Sequence, residues 1–213
     1  MNARPPSPPP SPTPSPEGDS CPYVSRGGLK LAHALDTLAI DPRGWTCADL
    51  GCSTGGFTHC LLLRGAARVI SVDTGYGVLA YKLRTDPRVR VMERTNALHA
   101  EPPAPVDLVV MDVSWTPMRF ALPAAIKWLR PSATGGIVAL VKPHYERSSK
   151  DKSARGILAD DEAAAVTDAV IAEVCATLPL TVAGKTPSPI KGGGGKHKQG
   201  NPEWLVRFVL RGA

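Results

Sequence analysis

The chain has 213 residues and is 43% apolar, about half once its 20 glycines are counted, a makeup that fits one modest globular domain and excludes a fibrous or wholly disordered protein. Its formal net charge is +6, and because Arg4, Glu17 and Asp19 leave the first 22 residues at one net negative, residues 23–213 carry seven net positives, which suits a polyanionic partner. No apolar run exceeds six residues, far short of the roughly 20 that cross a bilayer, so neither a spanning helix nor a secretory leader is expected.

Residues 1–22 hold nine of the 22 prolines and almost no large apolar side chain, so this segment reads as a disordered Pro/Ser-rich tail ahead of a single domain over 23–213. A helix is predicted over 29–40, where Leu31, Ala34, Leu35 and Leu38 recur at helical spacing before Asp41-Pro42. Five short apolar segments follow, Thr46 to Leu50, Arg68 to Val72, Val89 to Met92, Val106 to Met111 and Gly136 to Val141, and read as buried parallel strands. Helix-compatible stretches separate them at Gly56 to Arg64, Val78 to Arg84 and Met118 to Leu129.

Asp160 to Leu178 is a further helix, its three leading acids complementing the positive end of the helix dipole. Then come Leu180 to Lys185, a Gly- and Lys-rich loop from Thr186 to Pro202, and Glu203 to Leu210 with strand-like alternation. Lys185, Lys191, Lys196 and Lys198 fall in a stretch without acids, which serves either phosphate contact or solubility. Cysteines 21, 47, 52, 60 and 175 are odd in number and form no C-x-x-C pair, which argues against a disulfide framework and a zinc site and points to a reducing, cytoplasmic setting.

Strands alternating with helices specify an α/β fold, a sheet covered on both faces, with ligands bound beyond the carboxyl ends of its strands. There lies Asp49-Leu50-Gly51-Cys52-Ser53-Thr54-Gly55-Gly56-Phe57, a glycine-rich turn whose small residues let a ligand approach the backbone. Its G-x-x-x-G-G spacing matches neither a dinucleotide fingerprint nor a phosphate loop. Asp73 ends the next strand 22 positions after Gly51, where an acid accepts hydrogen bonds from a ribose, so the pattern fits an adenosine ligand. With no Arg or Lys in the loop to meet a pyrophosphate, a sulfonium linkage fits better than NAD; a plain strand-to-helix turn is the alternative. Cys52 reads as a small residue packed beneath that ligand, with a reactive thiol as the other reading.

Four ionisable residues sit where chemistry can use them: Lys30 early in a helix whose dipole it opposes, Asp112 and Lys142 at strand ends, and Glu203 at the start of the last strand. Read singly, each is a surface charge or half an ion pair; together they suit deprotonation of an alcohol, because carboxylates orient an ammonium and a second lysine disfavours its charged form.

The segments Tyr23 to Leu31, Gly51 to Thr58, Val72 to Gly77, Glu93 to Asn96, Met111 to Trp115 and Ala139 to Pro143 together resemble the TlyA family, the haemolysin-A-like branch of the FtsJ/RrmJ-type ribosomal RNA 2′-O-methyltransferases, over about residues 23–211. The resemblance implies a Rossmann-like S-adenosylmethionine-dependent methyltransferase fold with a central, mostly parallel seven-stranded sheet and helices on both faces. It implies a catalytic tetrad of Lys30, Asp112, Lys142 and Glu203. It also implies S-adenosyl-L-methionine as cofactor, with Asp49, Gly51, Ser53, Thr54, Gly55, Gly56 and Phe57 around its methionine part, Asp73 on the ribose, Asn96 on the adenine amine, and Asp112 beside it.

The implied reaction is in-line attack of an RNA ribose 2′-oxygen on the sulfonium methyl while Lys142 accepts or steers the proton, and it needs no metal. Members of this branch begin with a small S4-type RNA-binding domain, whereas the Pro/Ser tail precedes Tyr23 here. RNA capture then falls to the catalytic domain, a partner, or a portion of the protein outside this sequence. Arg26, Lys150, Lys152, Lys191, Lys196 and Lys198 are the candidate phosphate contacts, and Trp115 or Tyr145 could stack a flipped-out base. The alternative reading is a catalytically inactive relative that binds RNA or cofactor.

Overall fold

The structure, a computed structural model, describes residues 21–146, 157–192 and 200–212. Residues 1–20 and the candidate RNA contacts Lys150, Lys152, Lys196 and Lys198 lie outside the described residues. The elements in order are α1 (Gly27–Thr37), β1 (Thr46–Leu50), α2 (Gly56–Leu63), β2 (Arg68–Val72), α3 (Tyr81–Arg84), β3 (Val89–Met92) and β4 (Leu108–Met111). Then follow α4 (Met118–Ile126), β5 (Gly136–Val141), α5 (Pro143–Glu146), α6 (Asp160–Thr177), β6 (Leu180–Pro187) and β7 (Trp204–Leu210).

The strands form one seven-stranded sheet in the order β3-β2-β1-β4-β5-β7-β6. Strands β1 to β5 pair in parallel, and β7 runs antiparallel between β5 and β6. Chain order reverses between β1 and β4, which makes that junction the switch point where a doubly wound sheet opens a crevice.

Alternation along each strand feeds two apolar layers. In β4, Val109 and Met111 join Ala48, Leu122, Trp128 and Val174 beneath α4 and α6, while Leu108 and Val110 join Leu31, Leu35, Cys47 and Leu61 beneath α1 and α2. Strands apolar on both faces cannot sit at a surface, which is why β1, β2, β4 and β5 were legible as buried parallel strands, whereas β3, read the same way, is a half-buried edge strand with Arg90 exposed.

Several boundaries differ from the sequence reading for physical reasons. Val106 makes only an isolated bridge to Leu129, so β4 begins at Leu108. The stretch from Val78 is helical only over Tyr81–Arg84. Strand β6 continues to Pro187, its register shifting between Val182 and Gly184, because β7 offers it partners as far as Trp204. Among the described residues no helix is long and apolar enough to cross a membrane.

Phe208 is fully buried in β7, in register with Ile137 on one side and Val182 on the other. Phe208→Ala is expected to cost about 3–5 kcal/mol, read as a lower urea midpoint at unchanged slope.

Candidate functional site

Strand register brings the candidate residues together. In the antiparallel β5–β7 pairing Val141 faces Trp204, so Lys142, one residue beyond β5, falls opposite Glu203, one residue before β7. In the parallel pairings Leu50 lies beside Met111, which sets Gly51 beside Asp112 at the switch point. Helix α1 buries Leu31, Ala34 and Leu35 and carries Lys30 at the edge of that stripe, 9% exposed.

Two ion pairs result. Lys30 Nζ donates to Glu203 Oε2, and Lys142 Nζ pairs with Asp112 Oδ1. Lys142 also donates to Ser114 Oγ at 3.3 Å. Burial pushes the Glu203 carboxyl up from its ordinary value; Lys30 and then Lys142 pull it back, while Asp112 adds to the rise. The two pairs therefore share one electrostatic site. Glu203 is only 4% exposed because Gly192 lies on it: a Cβ at residue 192 would fall inside the carboxylate. Gly192 is held there by paired backbone hydrogen bonds with Asn201, 2.8 and 2.9 Å.

Two adjoining cavities open beside these pairs and share Gly51, Ser53 and Asp112. One, about 270 Å³, is lined also by Arg26, Lys30, Asp49, Cys52, Thr54, Gly56, Phe57 and Lys191. The other, about 400 Å³, is lined also by Asp73, Asn96, Ser114 and Trp115. Asp73 accepts from the backbone N–H groups of Ser53 and Gly75, both 2.8 Å, so its carboxylate is held in place with acceptor capacity to spare. Asn96 Oδ1 accepts from Leu98 N–H at 2.9 Å, so a ligand amine would share that oxygen.

The glycines of the loop answer first to the protein. Gly51 has φ +84°, and a Cβ there would lie 2.6 Å from the Asp112 carbonyl oxygen; side chains at Gly55 and Gly56 would strike Leu83 and the start of α1. The sequence reading assigned these small residues to ligand approach, whereas strand, loop and helix packing already demands them.

Asp49 is fully buried beneath α2. Its Oδ2 accepts from the backbone N–H and the hydroxyl of Thr58, at 2.9 and 2.6 Å, so the strand caps a free N–H at the start of a helix that has no side-chain cap of its own. Its Oδ1 has no hydrogen-bond partner. Burial raises the Asp49 carboxyl to about 7; the Thr58 hydroxyl and N–H oppose the rise, and the Asp112 and Asp73 charges add to it. Burial likewise pushes the Cys52 thiol up, which fits a packing residue and not a nucleophile.

Of the sequence-predicted residues, Lys30, Asp112, Lys142 and Glu203 converge, and Asp49, Gly51, Ser53, Thr54, Gly56, Phe57, Asp73 and Asn96 line the two cavities. Arg26 and Lys191 also reach the smaller cavity, and Lys191 pairs with Asp160 at 2.7 Å. Sequence reasoning missed Thr58, Ser114 and Gly192, whose importance comes from partners distant in the chain. The Thr58 position alone carried a signal, a hydroxyl on the first turn after a glycine-rich loop. Trp115, 80% exposed with φ +63°, rests on Tyr145 with ring centroids 4.7 Å apart, and Lys142 Nζ is 6.0 Å from the Tyr145 ring.

Asp49 also makes stability depend on pH. Between the ordinary carboxylate value of 3.8 and about 7 the folded state keeps a proton that the unfolded state has released, so its contribution is full below that window and is lost as pH rises through it. Asp49→Asn is expected to flatten the fall in unfolding free energy between pH 4 and 7, measured by urea titration; an unchanged slope would show that Asp49 ionises normally.

Comparison with known proteins agrees with this geometry. A family model for FtsJ-like methyltransferases matches residues 23–197. The 16S/23S rRNA (cytidine-2′-O)-methyltransferase TlyA of Mycobacterium tuberculosis is 43% identical over 86% of this chain and 67% of its own length. Hemolysin A of Brachyspira hyodysenteriae is 35% identical over 88% of this chain and 77% of its own. A solved Streptococcus thermophilus structure, described as a hemolysin, superposes with a TM-score of 0.79 at 35% identity, covering 92% of this chain and 70% of that one. With a family match across most of its length and relatives of this similarity, the chain belongs to the FtsJ-like methyltransferase family.

Proposed function

We propose that this protein is an S-adenosylmethionine-dependent methyltransferase that modifies a ribose 2′-hydroxyl of ribosomal RNA. The observation that carries the reading is the set of two ion pairs, Lys30 with Glu203 and Lys142 with Asp112, formed beside the Gly51 loop by the β5–β7 register. The name of the M. tuberculosis relative makes a cytidine 2′-oxygen the first target to test.

The residues fit the cofactor. The unpartnered Oδ1 of Asp49 offers a buried carboxylate oxygen to an ammonium group, and Asp73 offers acceptors to ribose hydroxyls. That Gly51, Ser53 and Asp112 border both cavities supports a cofactor whose adenosine and methionine parts meet there. When bound, S-adenosylmethionine supplies a methyl group on a positively charged sulfur.

The protein's own part is positioning and proton handling. Lys142, fixed by Asp112 and Ser114, orients the 2′-hydroxyl; once its ammonium has released a proton to solvent, the neutral amine takes the hydroxyl proton as the oxygen becomes a nucleophile. Lys30 and Glu203 hold their charges against the same site and keep Lys142 from swinging away. The exposed Trp115 ring, braced by Tyr145, gives an unstacked base a platform beside Lys142, and Arg26 and Lys191 at the cavity suit flanking phosphates.

Lys142→Ala is expected to abolish radiolabelled methyl transfer to ribosomal subunits while S-adenosylmethionine affinity stays within a few-fold; retained turnover would remove Lys142 from its role. Trp115→Ala is expected to raise the RNA KM by about tenfold, as loss of one stacked base does.

A further inference from the structure

Beneath the cofactor loop lies a chain of three fully buried polar side chains on three different elements. Asp49 of β1 and Ser71 of β2 are register partners on adjacent strands, and both point toward α2. Thr58 of α2 stands over them, its Oγ1 2.6 Å from Asp49 Oδ2 and 2.7 Å from Ser71 Oγ. A hydroxyl has one proton. Thr58 gives it to the carboxylate, so the Ser71 hydroxyl must donate to Thr58. The chain therefore runs Ser71 to Thr58 to Asp49, each donor polarising the next.

Helix capping explains only part of this arrangement. The Thr58 backbone N–H already caps α2 on Oδ2, whereas the Thr58 and Ser71 hydroxyls add nothing to the helix end. Their effect is on charge and aim: they saturate Oδ2 and leave Oδ1, which has no partner, as the free acceptor of a residue that lines the cavity.

We infer that Thr58, seconded by Ser71, is a positioning residue that favours the ionised form of Asp49 and turns it so that Oδ1 receives the ammonium group of the cofactor's amino-acid part. The inference rests on the cofactor reading above. Other charges face Asp49 as well: Asp112 beyond β4 and Asp73 beyond β2 disfavour its ionised form, and Lys30 of α1 lines the same cavity. The thiols of Cys47, Cys52 and Cys60 surround it and are held neutral by burial. Against two neighbouring carboxylates and full burial, which together raise the carboxyl to about 7, the Thr58 hydroxyl and then the Thr58 backbone N–H are the groups that favour the ionised form.

The sign follows directly. A cationic ligand needs Asp49 ionised, so affinity falls as pH drops through the Asp49 titration, and removing the donor moves that fall to higher pH. The test is calorimetric titration of the full chain with S-adenosylhomocysteine from pH 5.5 to 7.5, with thermal unfolding of each variant as the check on folding. Wild type is expected to lose affinity toward the acid end. Thr58→Val is expected to shift that curve up by about one unit, so that binding at pH 6.5 is about tenfold weaker. Thr58→Ser, which keeps the hydroxyl, should restore the wild-type curve, and Ser71→Ala, which leaves Thr58 and the cap in place, should shift it less in the same direction.

A wild-type curve for both Thr58→Val and Ser71→Ala would overturn the relay. So would an affinity loss equal at every pH, which is what a merely structural role produces. If wild type binds no S-adenosylhomocysteine at any pH, the cofactor reading itself fails and the relay with it, an outcome recognisable because it appears before any substitution is made.

Discussion

Antiparallel pairing of β7 against β5 is the constraint on which the reactive end of this protein depends. The five parallel strands could present Asp112 and Lys142 at their carboxyl ends unaided, since that is where such strands end. They could not bring Glu203, because a residue at the start of a parallel strand would emerge at the opposite edge of the sheet. By reversing direction, β7 delivers its leading residue to the edge where β5 delivers its following one, and the register Val141 to Trp204 sets Glu203 across from Lys142. Lys30 then finds its partner from α1, and Gly192 covers the pair.

Burying Lys30 and Glu203, with Lys142 and Asp112 half-buried beside them, is costly unless each charge is matched, and breaking one pair leaves its partner stranded. Here the matching is reciprocal and crosses four elements, so the site is as rigid as the sheet that presents it. The cost is visible at Glu203, whose carboxyl is raised by burial even beside Lys30. An ionic site of this kind adds little net stability; its value is geometric, since it fixes the Lys142 ammonium at a defined place next to the cavities.

The same economy appears beneath the cofactor loop. Asp49 does two things with two oxygens: Oδ2 closes the start of α2, and Oδ1 is left free at a cavity. Helix, strand and candidate ligand site are thereby tied to one side chain, so the fold and the site cannot be varied separately there. The loop glycines tell a similar story. Their smallness is required by the Asp112 carbonyl, by Leu83 and by α1, so a glycine-rich turn is a weak sign of a ligand until its neighbours in space are known.

Sequence periodicity alone determined the α/β class, the five parallel strands, of which all but the edge strand β3 are buried, and the long α6 helix, because apolar runs and helical spacing are local properties of a chain. The resemblance of several ordered motifs named the candidate tetrad and the glycine-rich loop, and those residues gather at one end of the sheet. What only the tertiary structure decided is pairing: which lysine meets which acid, that Gly192 must lack a side chain, and that Thr58 and Ser71 reach Asp49. These depend on register between strands and on the docking of α1 and α2 against the sheet. Contacts of that kind join residues as far apart as Lys30 and Glu203, and no local pattern in the sequence encodes them.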